Sequence, residues 1–187
     1  VNQNAGKQPV AVSPELYQLI GRSKKLSELS NGYFDVSFAS IDKVWDFSNP
    51  TPALPSQEAI DASVARINYH NIALDDEAQT VLLKQTGMKL GFGAIGKGFA
   101  ADRARTAMQA TGAEAGVVNA GGDLLAWGAR PDGQPWSIGI ADPTNKTNIL
   151  SWLEINNRAV ATSGNYEKYL TINGERYCHI INPKTGW

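Results

Sequence analysis

The stretch Gly91-Phe92-Gly93-Ala94-Ile95-Gly96-Lys97-Gly98 places four glycines within eight residues, directly before an alanine-rich segment. The composition of that segment predicts a helix from Lys97 to Thr111, ended by Gly112. A glycine-rich loop before a helix N-terminus presents backbone N–H groups that bind anions. We therefore interpret the loop as a site for a phosphate-bearing ligand. The alternative is a turn whose glycines only let a strand and a helix pack closely.

The loop matches two nucleotide-binding patterns incompletely. Gly91, Gly93 and Gly96 fit G-x-G-x-x-G, which is a weak signal unless it lies in a βαβ unit of a parallel sheet. Residues 91–97 also fit G-x-x-x-x-G-K, but Gly98 stands where such a loop carries the Ser or Thr that holds magnesium. This mismatch argues against a nucleoside triphosphatase.

The segments around the loop decide between a parallel and an antiparallel sheet. After Tyr69, strand-like segments outnumber helical ones and are joined by turns of hairpin length. Asn173-Gly174 separates two such segments, which is the strongest short signal of a β-hairpin. The sequence therefore predicts an α+β fold, mostly antiparallel sheet with packed helices, and argues against an NAD-dependent Rossmann enzyme.

Composition sets broad limits on the protein class. The chain has 187 residues, of which 42% are hydrophobic and 19% charged, as is usual for a globular protein. Its net charge of −1 indicates no basic surface for nucleic acid, and the single cysteine, Cys178, cannot form an internal disulfide. Since no linker-like segment divides the chain, we expect one domain from residue 1 to residue 187. Because the sequence begins at Val1 and ends at Trp187, we expect this domain to be truncated at both ends.

Two helices are predicted before the strand-rich part. Ser13-Pro14-Glu15 is typical of a helix start, with Gly32 as its end, and Ser56 caps a second helix from Gln57 to Arg66. We expect the apolar residues of the first helix to line one core-facing side. These residues are Leu16, Leu19, Ile20, Leu26 and Leu29.

Tyr33-Phe34-Asp35 combines two aromatic rings with an acid just after a helix end. One interpretation is an aromatic wall for a flat ligand, with the carboxylate as its hydrogen-bond partner. The other is a hydrophobic plug, with Asp35 capping a short helix from Val36 to Trp45. The residue pattern alone does not favour either.

Three further segments are candidate site elements. One is Ala120-Gly121-Gly122-Asp123, which lies between two predicted strands and ends in a carboxylate. This segment is either part of a site or a β-bulge. Thr162 and Ser163 precede a glycine, which suits phosphate or ribose contacts and also suits a plain turn. His179 is predicted within a hairpin strand, next to a polar turn at the strand end, which places it at the rim of the sheet.

Together these segments resemble the ApbE family of flavin transferases, in family order and from about Ser13 to the end of the chain. A single motif of this kind carries little weight, whereas five in the family's order are improbable by chance. The matching residues are Ser30-Asn31-Gly32-Tyr33-Phe34-Asp35, Trp45 and Phe47, 93–102, 119–123, 161–164 with Tyr166, and 179–186.

The resemblance implies a fold of the tunnelling type and an FAD:protein FMN transferase. Such an enzyme binds FAD and Mg²⁺, cleaves the FAD pyrophosphate, and attaches FMN through a phosphoester to a threonine of a target flavoprotein, with release of AMP. It implies redox-pump subunits as targets, and a lipoprotein-anchored position in the periplasm or on the outer face of the cytoplasmic membrane. Two alternatives stay open: an FAD pyrophosphatase that yields FMN and AMP, and a non-catalytic FAD-binding protein.

The resemblance also implies roles for single residues. His179 matches the histidine proposed as catalytic, and a neutral imidazole can take the proton of an incoming hydroxyl. Ala94 matches the position whose backbone carbonyl binds magnesium. The residues expected to contact FAD are Tyr33, Phe34, Asp35, Lys97, Thr162, Ser163 and His179.

Two departures from the family pattern matter. Gly91 stands where many members carry Asp, so one side-chain contact to FAD is absent. The family's remaining metal ligands lie on an Asp-x-x-x-Thr segment after the histidine motif, and these 187 residues end before it. We therefore expect this chain to bind magnesium weakly and to turn FAD over slowly or not at all.

Overall fold

The computed structural model of the chain describes residues 1–42, 44–48, 53–143, 145, 147–165 and 168–187. In the described part of the chain, no helix has the length and apolar character that a membrane crossing requires. The α-helices within these ranges are α1 (Pro14–Leu29), α2 (Gln57–Val64) and α3 (Gly96–Ala110). Short 3-10 helices cover Asn2–Asn4, Phe38–Ile41 and Tyr69–Asn71.

The strands of the described residues form small antiparallel sheets. They are β1 (Val10–Ala11), β2 (Ile72–Asp75), β3 (Thr80–Leu83), β4 (Gly116–Ala120), β5 (Asp123–Trp127), β6 (Trp136–Ala141), β7 (Ile149–Ile155), β8 (Ala159–Val160), β9 (Tyr169–Ile172) and β10 (Glu175–Cys178). The sheet orders are β1-β3-β2, β4-β5-β8, β6-β7 and β9-β10, and every strand pair among the described residues is antiparallel. This confirms the predicted α+β class. The sheet around α3 lacks the parallel strands of a Rossmann unit within the described residues.

The chain divides into two compact units. Unit 1 consists of Val1–Phe92 and Glu167–Trp187, and unit 2 consists of Gly93–Tyr166. Unit 1 contains α1, α2, β1 to β3, β9 and β10, whereas unit 2 contains α3 and β4 to β8. The expectation of a single domain over residues 1–187 stays a prediction.

Both helices of unit 1 begin as the sequence predicts. The Ser13 hydroxyl accepts a hydrogen bond from the Leu16 amide (3.3 Å), and the Ser56 hydroxyl accepts one from the Ala59 amide (3.2 Å). Gly32 follows α1 with φ = 78°, in the left-handed region that glycine adopts without strain. The second helix, α2, ends at Val64, two residues before the predicted end at Arg66.

The prediction that five apolar side chains of α1 face the core was wrong for two of them. Leu26 is 38% exposed and Leu29 is 70% exposed, whereas Ile20 is fully buried. The buried stripe continues from Ile20 through Ser23 and Ser27, at the three- and four-residue spacing of one helix face. Two serines occupy core positions because their hydroxyls donate to carbonyl oxygens one turn earlier in α1.

The core of unit 1 lies between α1 and the three-stranded sheet β1-β3-β2. Its buried members come from both elements and from the segments that lead into and out of them. They are Ala5, Ile20, Val36, Ile72, Val81, Leu83, Met88 and Leu90. A second buried cluster, made of Ile41, Trp45, Leu170 and Ile172, supports the hairpin of β9 and β10.

Unit 2 is built on α3 and the hairpin of β4 and β5. Gly121 and Gly122 form the two-residue turn of this hairpin with φ values of 64° and 95°, as a type I′ turn requires at both positions. Trp127 at the end of β5 is buried against Gly116 at the start of β4, where an added Cβ would lie 2.5 Å from the indole ring. Strand β8 contains only two residues, and residues 161–164 after it are irregular.

We expect Ile20→Ala to lower the free energy of unfolding by about 2–5 kcal/mol, because it leaves a cavity in the core of unit 1. Leu29→Ala on the same helix removes the same class of side chain from an exposed position, and should change stability by less than about 0.5 kcal/mol. Urea unfolding followed by circular dichroism compares the two variants. Equal losses would contradict the observed burial.

Candidate functional site

The glycines of the loop differ in what surrounds them. The Gly91 amide donates to the Val36 carbonyl oxygen (2.9 Å), and an added Cβ at Gly91 would lie 2.8 Å from the Cβ of Ala39. An added Cβ at Gly93 or Gly98 meets no atom of the described chain within 4 Å. Close packing therefore explains Gly91, whereas the other two leave the backbone open to a ligand.

The N-terminus of α3 has neither a side-chain cap nor an acid in its first turn. Its N-cap residue, Ile95, has no side-chain acceptor for the first amide groups, and its first turn contains Lys97 but no acid. The first amides of a helix point away from its hydrogen-bonded body, and the helix dipole adds about half a positive charge at that end. An anionic group fits this environment.

Lys97 connects the start of α3 to the β4–β5 hairpin. Its ammonium forms an ion pair with the Asp123 carboxylate (3.0 Å) and approaches the Gly121 carbonyl oxygen (3.5 Å). The Asn119 side chain accepts a hydrogen bond from the Gly122 amide (2.8 Å), which closes the turn. The alternative of a β-bulge at Asp123 is wrong, because Asp123 pairs directly with Ala120 across a two-residue turn.

The two neighbouring aromatic rings of unit 1 have different environments. Phe34 is partly buried and packs against the core cluster of unit 1. Tyr33 is 65% exposed, and the Lys184 ammonium lies 4.2 Å from the centre of its ring. Of the two, Tyr33 has the free face that stacking on a flat ring needs.

Asp35 is buried and hydrogen-bonded within unit 1. One carboxylate oxygen accepts from the amide (2.8 Å) and the hydroxyl (2.7 Å) of Ser37, and the other accepts from the Tyr69 amide (3.0 Å). These bonds precede the 3-10 helix Phe38–Ile41, which replaces the longer helix expected from Val36 to Trp45. Asp42 ends this element with φ = 57°. Asp35 therefore holds two segments together, and its expected contact with FAD stays a prediction.

His179 lies just beyond β10 rather than inside a hairpin strand, since β10 ends at Cys178. The side chain is exposed, and its Nδ1 lies 3.1 Å from the Lys168 carbonyl oxygen. A carbonyl oxygen only accepts hydrogen bonds, so Nδ1 carries the proton in this contact. In the neutral ring Nε2 is then unprotonated and can accept a proton.

A stack of aromatic rings supports this histidine from the inside of unit 1. Trp45 stacks on Phe47 and Tyr177, with ring centres 6.0 and 5.4 Å apart, and Phe47 meets the His179 ring edge-on at 6.4 Å. The Tyr177 hydroxyl donates to the Glu175 carboxylate (2.7 Å), and this bond, with partial burial, raises the pKa of Tyr177. The supporting contacts of Phe47 and Lys168 were not identifiable from sequence spacing.

The remaining predicted residues lie on exposed backbone of unit 2. Ala94 belongs to the turn before α3, and Thr162 and Ser163 follow β8. Tyr166, which was part of the matched pattern, lies outside the described residues. The Tyr33–Asp35 segment and His179 therefore belong to unit 1, whereas Ala94, Lys97, Thr162 and Ser163 belong to unit 2.

Among the residues that the structure describes, no group of three His, Cys, Asp or Glu side chains converges on a point where a metal ion could bind.

A cavity of about 300 Å³ in unit 1 is lined mostly by apolar side chains. None of its lining residues was predicted as a site residue; they are Val1, Asn2, Gln3, Leu16, Ile20, Leu90 and Phe92.

The family model and the relatives that match this chain all belong to one protein family. The model of the ApbE family matches residues 1–187. The chain is 32% identical to an FAD:protein FMN transferase of Klebsiella pneumoniae over 188 residues, covering 100% of this chain and 58% of that protein. It is also 32% identical to one of Treponema pallidum over 202 residues, covering 100% of this chain and 56% of the relative.

A solved structure agrees with the sequence matches. The crystal structure of the ApbE protein of Thermotoga maritima has a TM-score of 0.89 and 34% identity, covering 100% of this chain and 60% of that one. The chain therefore has the fold of the corresponding part of ApbE structures. It spans little more than half the length of the curated relatives it matches.

We expect Asp35→Ala to lower the free energy of unfolding by about 1–3 kcal/mol, because it leaves the donors of Ser37 and Tyr69 without their acceptor. Asp61→Ala, which removes an exposed carboxylate of α2, should cost less than about 0.5 kcal/mol. Thermal and urea unfolding measure both variants. An Asp35→Ala protein as stable as the control would contradict the structural role.

Proposed function

Because the chain belongs to the ApbE family, we propose that it is the part of an FAD:protein FMN transferase that holds the FAD pyrophosphate. The observation that carries this proposal is the start of α3. Open glycine backbone, uncapped helix amides and the Lys97 ammonium occur there together. These are the groups that bind and neutralise a phosphate.

The proposed substrate has a flat ring as well as phosphates. Tyr33 is an exposed aromatic residue with the Lys184 ammonium over its ring, and we propose that it contacts the isoalloxazine ring. Thr162 and Ser163 offer hydroxyls on exposed backbone for phosphate or ribose oxygens. Tyr33 belongs to unit 1 and the two hydroxyls belong to unit 2, and each is proposed as an FAD contact on the basis of family membership.

The proposed reaction is transfer of FMN to a threonine hydroxyl. The threonine oxygen attacks the phosphorus of the FMN half, the bond from that phosphorus to the bridging oxygen breaks, and AMP leaves with that oxygen. His179 takes the hydroxyl proton at Nε2, since Nδ1 is held as a donor by the Lys168 carbonyl. Lys97 offsets the negative charge that the leaving phosphate gains.

Only the resemblance to the family supports a role for magnesium in the proposed reaction. The described residues do not fit a complete cation site, because no three metal-binding side chains converge. Mg²⁺ usually keeps several waters and binds through one or two carboxylates together with substrate phosphates. We assign no step to the metal, and the Ala94 carbonyl stays its predicted ligand in this chain.

The partner and location complete the proposal. The acceptor is a flavoprotein with a reactive threonine, such as a redox-pump subunit, and the full-length protein acts in the periplasm or on the outer face of the cytoplasmic membrane as a lipoprotein. Both statements rest on the resemblance to the family. To test the partner, proteomic mass spectrometry compares threonine-linked FMN between strains with and without the full-length gene. The proposed partner carries the modification only in the strain that has the gene.

The direct test mixes the chain with FAD, Mg²⁺ and a threonine-bearing acceptor peptide, and follows AMP and flavin by chromatography. FMN on the peptide with release of AMP supports the transferase. AMP with free FMN assigns a pyrophosphatase. Bound FAD without AMP fits the slow or absent turnover expected of these 187 residues, and supports the pyrophosphate site alone. If the chain neither binds FAD nor turns it over, the proposal is rejected.

We expect His179→Ala to lower any AMP release by about 10²–10⁴-fold, the usual contribution of a general base. The matched control is His70→Ala, because His70 is the only other histidine, is exposed, and stacks on Tyr69. The control should retain activity close to that of the unsubstituted chain. Equal effects of the two substitutions would reject a catalytic role for His179.

We expect Gly93→Ala and Gly98→Ala to weaken FAD binding about tenfold, the size of one lost charge-assisted hydrogen bond, while leaving stability unchanged or, within α3, slightly raised. Gly91→Ala is the structural comparison, because its Cβ meets Ala39; it should cost about 1–3 kcal/mol of stability. Flavin fluorescence titration and thermal unfolding measure the two effects. Unchanged FAD affinity in the first two variants would show that this backbone does not face the substrate.

A further inference from the structure

We propose that Asp123 is a positioning residue, which holds the Lys97 ammonium at the start of α3 so that it meets the substrate pyrophosphate. This inference rests on the proposed function and gives a specific role to Asp123, whose segment was only a candidate site element in the sequence. All the contacts involved lie within unit 2. The first is the 3.0 Å ion pair between the Lys97 ammonium and the Asp123 carboxylate.

The position of Lys97 is unfavourable without a counter-charge. Lys97 occupies the first turn of α3, where the helix dipole and the free amides already place positive charge. A lysine side chain is long and mobile, so an ammonium repelled from this end would move into solvent. The Asp123 carboxylate keeps it where an anion would bind.

The carboxylate is held on a rigid support. Asp123 begins β5 and pairs with Ala120, and the two glycines between them adopt the positive φ values of a tight hairpin turn. The Asn119 side chain closes this turn through the Gly122 amide. The Asp123 side chain is 21% exposed and that of Lys97 is 46% exposed, so the acid is the more fixed partner and the ammonium is the one that solvent or a ligand reaches.

The geometry leaves the ammonium capacity for a ligand. A lysine ammonium has three donors. One is directed to Asp123, and the weaker contact to the Gly121 carbonyl, at 3.5 Å, uses at most one more. The remaining donor can meet a phosphate oxygen without breaking the ion pair.

Charge alone and positioning make opposite predictions, which makes the proposal testable. Removing a negative charge near an anion site should strengthen the binding of FAD if only the net field matters. If Asp123 positions Lys97, the same change should weaken binding. Asp123→Asn is suitable, because it removes the charge and retains the shape of the side chain.

The experiment titrates FAD and riboflavin into the unsubstituted chain, Asp123→Asn, Lys97→Ala and the double variant. We expect Asp123→Asn to weaken FAD binding about tenfold, the size of one lost charge-assisted hydrogen bond from Lys97 to the substrate. The double variant should bind FAD no more weakly than Lys97→Ala, because Asp123 acts through Lys97. Riboflavin, which lacks the pyrophosphate, should bind all four proteins equally.

A matched control separates this role from general stability. Asp132→Asn removes another carboxylate of unit 2, one that pairs with Arg130 at 3.0 Å, and should leave FAD affinity unchanged. Thermal unfolding of each variant identifies any loss of fold.

Several results would overturn the positioning role. These are FAD affinity in Asp123→Asn that is equal to or higher than that of the unsubstituted chain, additive losses in the double variant, and an equal loss of riboflavin binding. If the unsubstituted chain binds no FAD, the proposed function fails and the positioning role fails with it. If it binds FAD and only the Asp123 effect is missing, the proposed function stands and this inference alone is wrong.

Discussion

The ion pair between Lys97 and Asp123 joins the two elements on which unit 2 is built. One is α3, whose first amides lack a side-chain cap because its N-cap residue is isoleucine. The other is a hairpin whose turn closes only because glycine occupies both positions of positive φ. Together they place open glycine backbone, uncapped amides and Lys97 at the start of α3, with one acid paired to the lysine. The proposed phosphate site rests on this arrangement rather than on any sequence pattern.

In unit 1, two of the predicted site residues, Asp35 and His179, are held by contacts within the unit. Both carboxylate oxygens of Asp35 accept hydrogen bonds from donors within unit 1, so the exposed ring of Tyr33 belongs to a fixed segment. His179 lies at the end of β10, with its tautomer set by a backbone carbonyl and its ring against Phe47. A base with a defined unprotonated nitrogen is more useful than a freely rotating one, because its orientation is established before the substrate binds.

The sequence predicted the elements of the fold better than their faces. Caps at Ser13 and Ser56 and the turn at Asn173-Gly174 are local signals, and they placed helices and hairpin correctly. Leu29 was assigned to the core because leucine is usually buried, but Ser23 and Ser27 hold that face of α1 through bonds to their own helix. The loop, Lys97 and His179 stood out as motifs. The segment of Asp123 stood out as well, but its pairing with Lys97 was not predicted. This pairing and the contact of His179 with the Lys168 carbonyl depend on segments brought together by folding, which spacing alone does not reveal.

The most direct test of this account is a crystal structure of the chain with FAD. The account predicts the pyrophosphate at the start of α3, with a phosphate oxygen within hydrogen-bond distance of the Lys97 ammonium and of amides in residues 96–98, and with the ion pair to Asp123 retained. A pyrophosphate bound elsewhere on the chain, with Lys97 still directed only at the hairpin, would contradict it.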